Sequence, residues 1–170
     1  MQEVSNNTYQ GTFVLHRQDP IGSYNVKFSV TGFDGINREV ASSSFYFNNG
    51  QDNVPPVISN SAIEPDTVEV TQPTVIFTSI DVADSNGLND ISEVYFKVYK
   101  PDGTTNNNNI LLFDDGNVSE HGDLHAGDGT YSRLIQVDQS NDKGTYRFEF
   151  QAKDRSGELS NIINHYVLIQ

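Results

Sequence analysis

Residues 144–152 read Gly144-Thr145-Tyr146-Arg147-Phe148-Glu149-Phe150-Gln151-Ala152. Tyr146, Phe148, Phe150 and Ala152 are apolar, and the residues between them, Arg147, Glu149 and Gln151, are polar. A side-chain period of two sends one set to a core and the other to water, which is a half-buried antiparallel strand. No 3.6-residue pattern fits the same stretch, so this segment decides against a helix.

The same alternation recurs outward along the chain. Tyr24, Val26, Phe28 and Val30 alternate with Asn25, Lys27 and Ser29, and Val94, Phe96 and Val98 with Tyr95, Lys97 and Tyr99. Strand-like runs, β-branched or aromatic, occupy 57–59, 67–70, 74–82, 110–113, 130–137 and 161–169, separated by Gly, Asn, Asp and Pro. Short strands at this spacing predict an all-β, immunoglobulin-like or fibronectin-type antiparallel β-sandwich. With no Cys and no Trp, an antibody-type domain is excluded. Gly-[Ser/Thr]-Tyr opens the alternating strand at Tyr24 and at Tyr146. In such sandwiches a Tyr here bonds its hydroxyl back to the corner backbone; a plain core Tyr is the alternative.

These two strands belong to a divergent repeat. Gly11-Thr12-Phe13, Gly22-Ser23-Tyr24 and Asp34-Gly35 are matched by Gly129-Thr130-Tyr131, Gly144-Thr145-Tyr146 and Asp154 with Gly157. Each copy runs into another apolar segment, Phe45-Tyr46-Phe47 or Tyr166-Val167-Leu168-Ile169. A period of about 120 residues is domain size. The expected organisation is tandem copies with the first truncated: residues 1–52 the carboxyl-terminal half of a first sandwich, residues 53–170 a complete one. Pro55-Pro56 after the polar run 48–53 reads as a stiff linker into the first strand of the second copy.

The charge balance removes whole classes of function. Ten Lys and Arg against 23 Asp and Glu give a net charge of −13, the wrong sign for nucleic acid or an anionic membrane surface. Without Cys there is no disulfide framework and no thiolate nucleophile or ligand. No apolar run approaches bilayer length, so membrane insertion is not expected. Residues 1–20 show neither a basic start nor an apolar core of an export signal.

The acid is concentrated. The loop Asp114-Asp115-Gly116-Asn117-Val118-Ser119-Glu120-His121-Gly122-Asp123-Leu124-His125-Ala126-Gly127-Asp128-Gly129 joins two strand runs. Clustered carboxylates repel, and such a loop orders more readily around a hard cation. Ca2+ takes six to eight oxygens from carboxylates and carbonyls, and Gly permits the turns that aim them. Asp114, Asp115, Asp123 and Asp128 are the candidate ligands. A second, weaker element, Asp84-Ser85-Asn86-Gly87-Leu88-Asn89-Asp90, offers Asp84, Asn86 and Asp90. It opens like an EF-hand loop but lacks the Glu at position 12 and the flanking helices. Asp, Asn and Gly are also the ordinary residues of turns, so turn chemistry is the competing reading for both stretches.

Asp114-Asp115-Gly116, Gly122-Asp123 and Ala126-Gly127-Asp128-Gly129-Thr130-Tyr131-Ser132 resemble the DDG…GD…AGDGxYS signature of bacterial surface immunoglobulin-like modules, including the choice-of-anchor X group. A similar signature closes the β-sandwich of calcium-activated chloride channel regulator proteins. The resemblance spans roughly 57–170, with two departures: Asn117–His121 lengthens the loop, and Thr104–Asn109 inserts an Asn-rich hairpin tip. It implies an extracellular or cell-surface, non-catalytic module whose partners are neighbouring domains of a longer chain, and it implies no substrate.

Other constellations carry less. His121, Asp123 and His125 could hold zinc only if their spacing converged, and Gly122 argues against the helix this needs. There is no Gly-x-Ser-x-Gly elbow, and adjacent acids such as Asp114 and Asp115 suit turns or ions better than glycoside hydrolysis. Asn6-Asn7-Thr8 and Asn117-Val118-Ser119 fit the glycosylation sequon, which matters only in a eukaryotic secretory setting. The expected function is therefore a structural or spacer module, stiffened by Ca2+. The alternative is a glycan- or protein-binding, adhesin-like module using its loop ends or Tyr95 and Tyr99, which alternation places together on the face of their strand opposite Phe96.

Overall fold

Two compact units make up the computed structural model, Met1–Asp52 and Asn53–Gln170; the structure describes residues 1–16 and 19–170. In the first unit, β1 (Gln2–Ser5) pairs antiparallel with β2 (Thr8–Gln10), and β3 (Gly22–Thr31) with β4 (Asn37–Phe47). Tyr24 stacks on Phe45 at 5.7 Å between ring centroids and meets Phe47 edge-on. Most of the other apolar side chains of this hairpin, Val30, Val40 and Tyr46 among them, are exposed.

The second unit is a β-sandwich. Its strands are β5 (Val57–Glu64), β6 (Thr67–Val68), β7 (Thr74–Ala83), β8 (Ile91–Tyr99), β9 (Ile110–Leu112), β10 (Thr130–Val137), β11 (Gly144–Asp154) and β12 (Ile163–Ile169), with one 3-10 turn at Leu88–Asp90. One sheet runs β10-β7-β5 and the other β6-β12-β11-β8-β9. The alternation in 144–152 is realised along β11: Tyr146, Phe148, Phe150 and Ala152 are buried, and the residues between them are partly exposed. They meet Val94 and Phe96 of β8, and Ile58, Ile76, Ile80 and Val82 of the facing sheet, in one core. Burying a ring such as Phe96 or Phe150 stabilises the fold by about 2–3 kcal/mol.

The repeat is visible in register. Gly22 lies opposite Phe47, Tyr24 opposite Phe45 and Phe28 opposite Ala41. Exactly 122 positions on in each case, Gly144 lies opposite Ile169, Tyr146 opposite Val167 and Phe150 opposite Ile163. The tyrosine corner recurs in place. Tyr24 donates its hydroxyl to the carbonyl of Pro20, four residues upstream, at 2.7 Å; the hydroxyl of the buried Tyr146 lies against the backbone of Asp142, also four residues upstream, and the side chain of Asn141.

One end of the sandwich collects the features that matter for function. Val57 pairs with Ala83, Thr130 with Asp81, and Asp154 with Ile91. The start of β5, the β7–β8 connection, the end of the 114–129 loop and the end of β11 therefore lie together. The segment from Asn53 to Pro56 arrives at this same end.

Candidate metal centre

Two groups of three aspartates form at that end. Asp84, Asp90 and Asp154 bring carboxylate oxygens within 4.8 Å of one another, and Asp114, Asp123 and Asp128 do the same.

The second group is organised by its own backbone. Asp114 accepts N–H bonds from Gly127 at 2.6 Å, Asp128 at 3.3 Å and Gly129 at 3.0 Å. Asp123, only 3% exposed, accepts from Gly116 and His125, and Asp128 accepts from Thr130. A carboxylate holding several N–H donors is satisfied as an anion without a cation. Gly122 and Gly129 let the loop close. Gly122 has φ +79° and a Cβ there would meet the Phe77 ring at 2.8 Å; Gly129 has φ +89° and would place one 2.9 Å from the Val82 carbonyl. Asp115, read with this group from sequence, points elsewhere. It accepts from the Asn117 N–H and pairs with Nδ1 of His121 at 2.9 Å; the Asn117 bond is the main cause holding its carboxyl below the usual range. His121 stacks on Phe113 at 4.0 Å. Beside the loop, Tyr131 lines a cavity of about 320 Å³ with Ile91, Val94, Leu112 and Phe113. Burial, and then the charge of Asp114, push its hydroxyl up to about 12.

The first group is built differently. Asp84 begins a turn in which Asn86 donates its N–H to the Asp84 carboxylate at 2.6 Å. Gly87, at φ +100°, leads into the 3-10 turn that ends on Asp90. Asp154 comes from 64 positions later, at the irregularity closing the β11–β8 ladder. Asp90 is 0% exposed and Asp154 1%. Both oxygens of Asp90 and Oδ2 of Asp84 are buried without a hydrogen-bond partner. Burial first, then the charges of Asp84 and Asp154, push the Asp90 carboxyl above its usual range, with Arg155 opposing. Burial likewise pushes Asp84 up. Arg155 does not close on these carboxylates; its Nε donates to the Asn89 carbonyl. Asp154 accepts from the Glu158 N–H and from the Asn53 side-chain amide at 2.7 Å. Asn53 Oδ1 is itself buried and unpartnered. Asn86, read from sequence as a ligand, uses its Oδ1 to accept the Val54 N–H at 2.9 Å.

Asp154 and Asn53 escaped the sequence reading because neither lies in an acidic run. The only signal at Asp154 is an Asp closing a strand three residues before Gly157. The expected outward aromatic face on β8 is corrected by the structure. Tyr95 is only 7% exposed and donates to Gln151, and the Arg147 guanidinium lies 3.8 Å above the Tyr99 ring. Tyr95 is flanked by Gln151 and Leu111 in the sheet and Tyr99 pairs with Arg147, so the two rings do not form one open face.

No family model and no curated protein matches the chain. Among solved structures it is similar to the fibronectin(III)-like modules of Clostridium thermocellum CbhA, at 18% identity and a TM-score of 0.42, over 88% of this chain and 63% of that one. It thus spans less than two thirds of that relative. It is also similar to the PKD domain of an M14-like peptidase from Thermoplasmatales archaeon SCGC AB-540-F20, at 18% identity and a TM-score of 0.40, covering 69% of this chain and 98% of that one. A third likeness is to a tetra-tandem repeat in the extending region of a large adhesion protein, at 18% identity and a TM-score of 0.41, covering 87% of this chain and 32% of that one.

Proposed function

We propose that this chain is a non-catalytic, immunoglobulin-like spacer of a multidomain bacterial surface or secreted protein, of the choice-of-anchor X kind its 114–132 motif resembles. Its partners are neighbouring domains, and Ca2+ stiffens the end of the sandwich at which the linker arrives. One observation carries the reading: both acidic groups gather at that end, where an ion would tie connecting segments to the strands. A spacer transmits force and orientation through its ends, so an ion there acts on the property a spacer needs. The acidity, −13 overall, keeps such chains soluble and mutually repelling.

The test is a pair of thermal melts of the whole chain, in excess Ca2+ and in EDTA, with a calorimetric Ca2+ titration alongside. Binding at 100 times the dissociation constant stabilises the native state by about 2.7 kcal/mol. The midpoint is expected to rise by roughly 10 °C. Coincident melts and no heat of binding would overturn calcium stiffening.

A further inference from the structure

We infer that the cation is held by the half-buried Asp84 and the buried Asp90 and Asp154 together with the side-chain oxygen of Asn53, so that the ion clasps the arriving segment to the sandwich; this rests on the calcium reading above. Three facts independent of the acidic sequence point there. Asp90 is fully buried, its carboxylate faces two others, and neither of its oxygens has a partner. Oδ2 of Asp84 is in the same state. Asn53 Oδ1 is buried and unpartnered too, while its amide nitrogen is fixed on Asp154.

Three carboxylates gathered here repel one another, and Asp90 with Oδ2 of Asp84 lacks the hydrogen bonds that would replace hydration. Among the described residues no Lys, Arg or His forms an ion pair with any of the three. A divalent cation answers each unmet demand at once. The donor set is all oxygen, carboxylate and amide carbonyl, with one carboxylate offering both atoms. That suits Ca2+, which accepts irregular and bidentate oxygen shells, over Zn2+, which favours nitrogen and sulfur, and over Mg2+, which demands near-ideal octahedra. The 114–128 group lacks these features: none of its oxygens is buried without a partner, and backbone N–H groups reach both oxygens of Asp114 and of Asp123 and one of Asp128.

The consequence lies in the linker. Asn53 and Val54 touch the sandwich through Asp154 and Asn86, and both contacts border the proposed ion. Filling the site locks these residues; emptying it leaves Asn53 bonded to a carboxylate in a repelling cluster.

The experiment uses the whole chain and three variants: Asp90→Asn, Asp128→Asn and Asn53→Ala. Ca2+ against EDTA is read by thermal midpoint, by calorimetry, and by the rate at which a non-specific protease cuts residues 48–54. The native chain is expected to gain roughly 10 °C with Ca2+ and to be cut about tenfold more slowly, as a linker held by a bound ion should be. Asp90→Asn should lose both effects and Asp128→Asn keep both. Asn53→Ala should weaken Ca2+ binding about tenfold, as loss of a supporting group at a metal site does, and lose the proteolytic protection. A full shift in Asp90→Asn, or a shift lost in Asp128→Asn alone, would move the ion to the 114–128 loop and overturn this assignment while leaving calcium stiffening intact. Unchanged cutting at 48–54 when the other effects hold would overturn the clasp. Should Asp90→Asn not fold, Asn53→Ala decides, and unchanged affinity there overturns the assignment. No calcium effect on the native chain defeats the earlier reading together with this one.

Discussion

Two groups of three aspartates sit at one end of the same sandwich, and they meet the problem of like charge in opposite ways. Asp114, Asp123 and Asp128 gather backbone N–H donors from their own loop, three of them on Asp114. In the group of Asp84, Asp90 and Asp154, donors from Asn86, Glu158 and Asn53 reach three oxygens, and the other three, both of Asp90 and Oδ2 of Asp84, are buried and unpartnered. In the first group the carboxylates hold a long loop in shape through its backbone N–H groups. In the second, folding has gathered carboxylates and left three of their oxygens buried without a partner. Acidic sequence alone does not separate these roles; the destination of each oxygen does.

The contrast predicts opposite signs of mutation in calcium-free protein. The largest effect is expected at Asp114. Asp114→Ala removes the acceptor of three N–H groups, one of them on the buried Gly129, and should destabilise the second unit by about 2–3 kcal/mol. Urea unfolding in EDTA measures it, and a change below a few tenths would show that water replaces the carboxylate at no cost.

The next effect is smaller and reversed. Asp90→Asn keeps the shape of the side chain but removes a buried charge that faces Asp84 and Asp154. In EDTA it should stabilise the chain by about 1–2 kcal/mol, because a buried charge without a partner carries an uncompensated desolvation cost. Destabilisation in EDTA would mean that Asp90 is satisfied without an ion, and the distinction between the two groups would collapse.

The fold was legible in sequence to the extent that burial repeats every two residues. β11 follows its apolar pattern closely, and the registers of β3–β4 and β11–β12 match as the repeat in sequence leads one to expect. Tyr95 was misread because alternation gives the face of a residue and not what its neighbours cover. On a central strand, flanking Gln151 and Leu111 bury an outward ring. The candidate site was half legible. Acidic density marks Asp114 and Asp128 first and Asp84 and Asp90 more weakly, and Asp154 joins the latter only through strand pairing across the sheet. No local window contains that contact. Nor does spacing tell that Asp115 turns to His121, or that Asn86 accepts the Val54 N–H.

The smallest effect sharpens the comparison from the side of the self-satisfied group. Tyr131 lies against the loop, with its hydroxyl pushed up to about 12, by burial first and by the charge of Asp114 second. A tyrosine in the unfolded chain ionises near 10. Between these values the unfolded chain has released a proton that the folded chain keeps, so stability contributed by Tyr131 is full below about pH 10 and is lost as pH rises toward about 12. Partial exposure of the ring screens the effect, so the loss should be well short of the full shift. Tyr131→Phe should flatten this alkaline limb, whereas Asp114→Asn should only move it to lower pH, since the charge goes and the burial stays. A Tyr131 titration followed by ultraviolet difference absorbance checks both. If Asp114→Asn leaves the titration where it was, Asp114 carries no charge that its neighbours feel, and the picture of three N–H groups holding an ionised carboxylate fails with it.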